Sequence, residues 1–175
     1  MIDRIAAAPI SWGICEVPGW GLQMTPTRIL GEMSELGITK TELGALGWLP
    51  DDVAALRSLL DQFNMSILGG FVPLVLHHGT SHPGSLDAAH AAARTLSDAG
   101  GQYFVAAVIS SMESWDRPTL DEGEWAALFD GLAETEKIVA DYGLTQVVHP
   151  HVNTLIETDD EFERFLRGSS SLFCL

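Results

Sequence analysis

Two histidines separated by a single proline carry the strongest chemical signal in the sequence. His149 and His151 directly follow an apolar run that is typical of a buried strand, and Pro150 stiffens the turn between them. An imidazole at a strand end offers a neutral nitrogen to a metal ion, or a proton carrier that titrates near neutral pH. The pair is therefore a candidate for metal binding or acid/base catalysis, and the alternative is an ordinary pair of solvated loop histidines.

Other polar residues also follow apolar runs. Glu42 ends a run that begins at Ile38, and a carboxylate there could act as an acid or base or contact a substrate. The alternative is an ordinary loop carboxylate. His77 and His78 follow a third run and could bind a substrate or join a metal site, although the residues after them predict a loop. The indole of Trp12 could form the wall of a substrate pocket, with core packing as the equal alternative.

The framework for these candidates is an alternation of strands and helices. Apolar runs predict strands at residues 5–10, 38–43, 65–76, 103–109, 144–148 and 171–175. Helix start signals lie between them. They are Thr25-Pro26, Asp51, Ser85, Asp121 with Glu124, and Thr158 with Glu161.

This alternation predicts βαβ units and a parallel sheet. Ligands of such α/β proteins gather beyond the carboxyl ends of the strands, where the candidate residues lie. Two architectures fit, a doubly wound open sheet and a (β/α)₈ barrel. A barrel typically needs about 250 residues, so the periodicity of this 175-residue chain slightly favours the open sheet.

Composition and charge exclude several classes of protein. With 46% hydrophobic and 19% charged residues, the chain is not predominantly disordered. No run reaches the roughly 18 apolar residues of a membrane span, and the N-terminus lacks a signal-peptide pattern, so we expect a cytoplasmic protein. Nine basic residues among 24 acidic ones, a net charge of −15, argue against nucleic-acid binding. Two cysteines without a C-x-x-C pair predict reduced thiols.

Four segments resemble the xylose isomerase-like TIM-barrel superfamily, and within it the inosose dehydratase branch most of all. They are residues 8–13 (APISWG), 41–44 (TELG), 69–73 (GGFVP) and 149–154 (HPHVNT). The likeness runs through essentially the whole chain. It implies a single domain over residues 1–175 with the fold of a (β/α)₈ TIM barrel. That barrel is expected to be incomplete, with about five βα units and the start of a sixth strand.

The resemblance also implies a divalent metal, manganese, cobalt or zinc, at the carboxyl mouth of the barrel. His149 stands where many epimerases have a glutamate, so it is expected to be a metal ligand or a base. The remaining ligands are expected beyond Leu175. Glu42 is expected to be a second catalytic residue. Trp12, His77 and His151 are expected to contact the substrate.

The implied chemistry is abstraction of a proton next to a carbonyl group on a sugar or cyclitol. Return of the proton gives isomerisation or epimerisation, and loss of a β-hydroxyl gives dehydration, as for inosose. Because later metal ligands are missing, we expect the 175 residues alone to be inactive.

Two alternatives stay open. The first is a catalytically inactive, truncated α/β module that self-associates or binds a partner, since an open barrel has exposed edge strands. The second is a DNA-repair endonuclease that shares the superfamily fold, which the acidic balance disfavours. A homo-oligomer is left open, and no membrane partner is expected.

Overall fold

The computed structural model describes residues 4–15, 20–45, 47–79, 84–114 and 116–174. After a 3₁₀ helix at Pro9–Trp12, helices and strands alternate along these residues. They are α1 (Pro26–Glu35), β1 (Lys40–Glu42), α2 (Val53–Gln62), β2 (Ser66–Leu74), α3 (Ser85–Asp98), β3 (Tyr103–Val108), α4 (Glu122–Asp141), β4 (Thr145–Val148), α5 (Asp159–Gly168) and β5 (Leu172–Phe173). The strands are hydrogen-bonded in chain order, and β1 with β2 and β4 with β5 pair in parallel. Among the described helices, none is long and apolar enough to cross a membrane.

The chain divides into two compact units, each with its own apolar core. Unit 1 comprises residues 1–71 and 95–103, and unit 2 comprises residues 72–94 and 104–175. The core of unit 1 includes Ile14, Ile29, Leu30, Met33, Leu56, Leu60, Ile67 and Leu96. The core of unit 2 includes Leu74, Phe104, Val108, Leu128, Leu132, Val139, Ile156 and Phe165.

The sequence prediction of α/β alternation is confirmed, and the main departure is the first strand. Residues 9–12 form a 3₁₀ helix, and only Ala7 makes an isolated parallel bridge, to Thr41. Ala7 N donates to Lys40 O at 3.0 Å, and Glu42 N donates to Ala7 O at 3.2 Å. The next rung of a parallel ladder would need an N–H at residue 9. Pro9 has none, so the ladder stops there.

Local side-chain hydrogen bonds begin two helices where the sequence predicted them. Asp121 and Glu124 form a capping box at the start of α4, and Thr158 and Glu161 form another at the start of α5. In each box the first side chain accepts the backbone N–H three residues later, and the glutamate accepts the N–H of the capping residue.

The predicted cap of α2 is wrong by one residue. Asp52, not Asp51, precedes the first helical residue, and its carboxylate accepts the N–H of Ala55 at 2.8 Å. Two adjacent aspartates offer the same chemistry, so the sequence pattern alone does not distinguish them.

A close approach of backbone fixes Gly69 in β2. A Cβ atom at this position would lie 2.5 Å from the carbonyl oxygen of Tyr103. Gly69 also lies opposite Glu42 across a register shift between β1 and β2. A side chain at position 69 would therefore force apart the backbone that surrounds Glu42.

We expect Gly69→Ala to lower the free energy of unfolding by about 1–3 kcal/mol, the usual cost of overpacking. Gly31→Ala is the matched control, because a Cβ there meets only Phe63 Cε1 at 3.5 Å inside α1. The control should gain up to about 1 kcal/mol from its helix propensity. Urea unfolding of the three proteins measures both effects, and equal stability of Gly69→Ala and the original chain would contradict the prediction.

Candidate functional site

The histidine pair lies just beyond β4, in unit 2. His149 N donates to Ala106 O at 2.8 Å, so the ladder between β3 and β4 continues one residue past the strand. The ring centroids of His149 and His151 are 5.5 Å apart, with 50° between their planes. The structure therefore brings the two imidazoles side by side at the strand end.

A buried threonine holds the turn that carries His151. Thr154 is 1% exposed, and its hydroxyl donates to the His151 carbonyl at 2.7 Å. His151 N in turn donates to Ile156 O at 3.2 Å. Leu155 N donates to Val108 O at 2.8 Å, which ties the same turn back to the end of β3. The backbone of His151 is thus fixed by hydrogen bonds on both sides.

An arginine that the sequence did not single out braces the segment after this turn. Arg117 Nε donates to Thr154 O at 2.8 Å. The same guanidinium pairs with Glu157 at 3.1 Å and with Glu161 at 2.6 Å. Burial acts to raise the pKa of Glu161, but hydrogen bonds from Thr158 and from the Glu157 backbone, together with the Arg117 charge, hold that pKa below its usual value. No local pattern signals this network, because Arg117 is distant in sequence from its partners.

The surroundings of His149 keep its imidazole neutral. Burial lowers the pKa of His149, the neighbouring His151 lowers it further, and a hydrogen bond that the ring donates to the Cys174 backbone partly opposes both. Cys174 Sγ lies 3.5 Å from His149 Nδ1, and Cys174 N donates to Val148 O at 2.9 Å.

Glu42 lies at the end of β1, in unit 1. Thr41 pairs with Ile67 whereas Glu42 pairs with Gly69, so the register of the two strands shifts at this point. Such irregularities re-aim side chains and are frequent beside active sites. Burial raises the pKa of the half-buried Glu42 carboxyl above its ordinary value.

Trp12, also in unit 1, is anchored through its ring nitrogen. Its Nε1 donates to Glu32 Oε2 at 2.9 Å, and Glu32 also pairs with Arg28 at 3.0 Å. The 3₁₀ helix is thereby tied to α1.

A second cluster of metal-binding side chains lies in unit 2. The rings of His77 and His78 are 3.8 Å apart, and one donor atom from each lies within 4.8 Å of a carboxylate oxygen of Glu124. His77 is buried, with 3% exposure. The sequence pointed to Glu124 only as a helix-capping residue, since nothing local connects α4 to the two histidines.

Comparison with known proteins finds relatives of this chain by sequence. It is 30% identical to the inosose dehydratase of Geobacillus kaustophilus over 172 residues, which is 93% of this chain and 55% of that protein. It is 30% identical over 178 residues to the rhizopine catabolism protein MocC of Rhizobium meliloti, 95% of this chain and 52% of MocC. The chain thus spans about half the length of the curated relatives it matches. No family model matches the sequence.

Solved structures show the same fold at lower sequence identity. The IolI protein with a bound zinc atom superposes with a TM-score of 0.68 at 14% identity, over 93% of this chain and 57% of that one. An L-ribulose 3-epimerase superposes with a TM-score of 0.66 at 14% identity, over 98% of this chain and 59% of the epimerase. The chain is similar in sequence to inosose dehydratases and has the fold of the xylose isomerase-like TIM barrels. The resemblance of its four motifs to that superfamily is confirmed, and the barrel replaces the open sheet that periodicity favoured.

A magnesium complex is also among the similar structures of this barrel fold. The xylose isomerase-like TIM barrel protein of Mycobacterium smegmatis, in complex with magnesium, gives a TM-score of 0.63 at 16% identity, over 93% of this chain and 60% of that one. Metal ions therefore occur in two proteins of this fold that superpose on most of the chain.

We expect Thr154→Val, which keeps the shape of the side chain, to lower the free energy of unfolding by about 0.5–1.5 kcal/mol, because the His151 carbonyl loses the hydroxyl donor and keeps only the Thr154 N–H. Thr154→Ser keeps the hydroxyl and is the matched control. Hydrogen exchange of the His151 and Ile156 amides should quicken in the valine variant more than in the serine variant. Equal exchange in both variants would show that the hydroxyl does not hold the turn.

The raised pKa of Glu42 predicts a pH dependence of stability. The folded state favours the protonated carboxyl, so its contribution is fully present below the ordinary value of 4.5 and is lost as pH rises through the folded pKa. Glu42→Gln should therefore be more stable, relative to the original chain, at pH 7 than at pH 4. Glu35→Gln, at an exposed position of the same unit, should show no such gain. Urea unfolding at the two pH values tests the sign.

Proposed function

We propose that this protein is a metal-dependent enzyme of the sugar isomerase and epimerase type that dehydrates an inosose-like cyclitol ketone. The observation that carries the proposal is the paired, partly buried His149 and His151 beyond β4 in a chain that matches inosose dehydratases over 93% of its length. The relatives' names, rather than the structure, supply the substrate class. A non-catalytic module is disfavoured because these relatives are enzymes.

The residues in unit 2 fit a divalent metal. His149 offers an imidazole that burial keeps neutral, and neutral imidazole nitrogen suits manganese, cobalt or zinc. We propose this imidazole as a ligand of that ion. When bound, such an ion would stabilise the negative charge that develops on the substrate carbonyl oxygen.

Proton transfer is the role that we propose for Glu42. A carboxyl whose pKa is raised by burial is a stronger base when ionised, and it holds a proton nearer neutral pH than an ordinary glutamate does. Removing the proton on the carbon beside the carbonyl and expelling the β-hydroxyl forms a carbon–carbon double bond and releases water. The hydroxyl leaves with a proton, which an acid in the site must supply.

Three further residues are proposed substrate contacts. His151 has its backbone fixed by the Thr154 turn, and its ring lies beside that of His149. Trp12 offers the apolar face of its indole to the C–H face of a ring. His77 follows β2, at the carboxyl end of the strand, as ligand-binding residues do in barrels of this kind.

Epimerisation is the second candidate reaction. The L-ribulose 3-epimerase superposes on 98% of this chain, and epimerisation shares the proton abstraction step with dehydration. The two reactions differ in the fate of the carbanion, which either regains a proton or expels the β-hydroxyl. The products therefore distinguish them.

The test uses the full translated product of the gene that encodes this chain, loaded with manganese, cobalt or zinc. With inosose, we expect a product lighter by one water in mass spectrometry. His149→Ala should lower turnover by at least about 100-fold, in the range of a lost acid/base or ligand group. His90→Ala, an exposed histidine of the same unit, should retain activity.

Two results would contradict the proposal. One is full activity of His149→Ala, which would exclude the assigned role of this residue. The other is failure of the metal-loaded protein to turn over either inosose or a ketose. Epimerisation of the ketose is measured by deuterium uptake from the solvent.

A further inference from the structure

His77 and His78 lie on a short turn that follows β2, and the chain holds this turn in place. Gly79 N donates to Leu76 O at 3.2 Å, which closes the turn around both histidines. Ser85 Oγ donates to Val75 O at 2.6 Å, which ties the start of α3 to the same segment. The backbone that carries the two imidazoles is therefore held by hydrogen bonds on both sides.

Helix α4 packs closely against this segment. A Cβ atom on Gly131 would lie 3.0 Å from the Cβ atom of Leu76, directly before the two histidines. Glycine at this position lets the helix backbone come near. The close packing brings unit 2's α4, with Glu124 in its first turn, up to the histidine turn.

The capping box orients the Glu124 carboxylate. Glu124 Oε2 accepts the Asp121 N–H at 2.9 Å, and Glu124 N donates to Asp121 Oδ1 at 2.9 Å. A carboxylate offers about four lone-pair positions, so this single hydrogen bond leaves it able to bind a cation. Because the capping box already restricts the Glu124 side chain, this residue loses less conformational entropy when it binds a metal ion.

We propose that His77, His78 and Glu124 bind a divalent transition metal of the zinc class. Two imidazoles and one carboxylate are a donor set that zinc accepts in sites that keep a fourth position for water or substrate. The three ligands all lie in unit 2 and do not include His149. The site shares only His77 with the residues proposed for catalysis and substrate binding, and it does not rest on the proposed function.

The geometry needs only a small adjustment to close around an ion. The donor atoms lie within 4.8 Å of one another. Ligand atoms around a tetrahedral zinc ion are about 3.4 Å apart, because each bond is about 2.1 Å long. His78 is exposed and Glu124 is half-buried, so these two side chains can rotate towards the buried His77.

Zinc titration of the metal-free 175-residue chain by calorimetry tests the site at neutral pH. The variants are His78→Ala and Glu124→Gln, and glutamine preserves the capping box because it also serves at that position. Each should weaken zinc binding at this site by at least about tenfold. Loss of a group that only supports a metal ligand already costs that much affinity. His78→Gln is a second variant at that position.

Two matched control variants remove a carboxylate or an imidazole that is not among the three proposed ligands. Glu122→Gln deletes a carboxylate of the same helical turn, and His90→Ala deletes an exposed histidine of the same unit. Both should bind zinc as the original chain does. His149→Ala should leave this site intact, so that failure of the zinc site and failure of the proposed catalytic role of His149 give different results.

Thermal unfolding provides the second readout, since a ligand that binds only the folded state raises Tm. Zinc should raise the Tm of the original chain and of His149→Ala, and should raise that of Glu124→Gln much less. Cobalt in place of zinc should give the intense visible absorption of a four-coordinate ion, lost in His78→Ala. Unchanged zinc affinity and unchanged Tm shift in both ligand variants would overturn the proposal.

Discussion

The hydrogen-bond ladder between parallel strands continues past the last residue of β4, and the histidine pair of unit 2 depends on it. The bond from His149 N to Ala106 O fixes the backbone of a residue whose side chain has left the strand. The bond from Cys174 N to Val148 O brings the Cys174 thiol against the same imidazole. A ladder that ended one residue earlier would leave His149 in a mobile loop, with its ring nitrogens undirected.

Hydrogen bonds and ion pairs between residues distant in sequence then stiffen the segment that follows β4. The buried Thr154 hydroxyl holds His151, and Arg117 holds Thr154 together with Glu157 and Glu161. Half-buried charge pairs of this kind are costly to break, because one partner would be left without its counter-charge. The turn after β4 is therefore a rigid support for a histidine, which is what a metal ligand or proton carrier requires.

Burial shifts the pKa of an acid and that of a base in opposite directions, and both shifts favour the neutral form. It raises the pKa of Glu42 and lowers that of His149, so each group favours its neutral form more than it would in water. The chain is similar in sequence to inosose dehydratases and shares its fold with an L-ribulose 3-epimerase. The second cluster, around His77, has a different origin, in the packing of α4 against the turn after β2.

The sequence by itself determined what depends on neighbours a few residues away. Apolar runs marked β1 to β5, and the capping boxes at Asp121 and Thr158 marked the starts of α4 and α5, because their hydrogen bonds span three residues. It also placed His149 at a strand end. Tertiary structure alone decided the rest. Pro9 ends a ladder whose partner strand lies far along the chain, and packing of α4 brings Glu124 to the two histidines. Arg117 likewise meets its carboxylates only in the folded chain, because contacts between residues distant in sequence follow from packing and leave no local pattern.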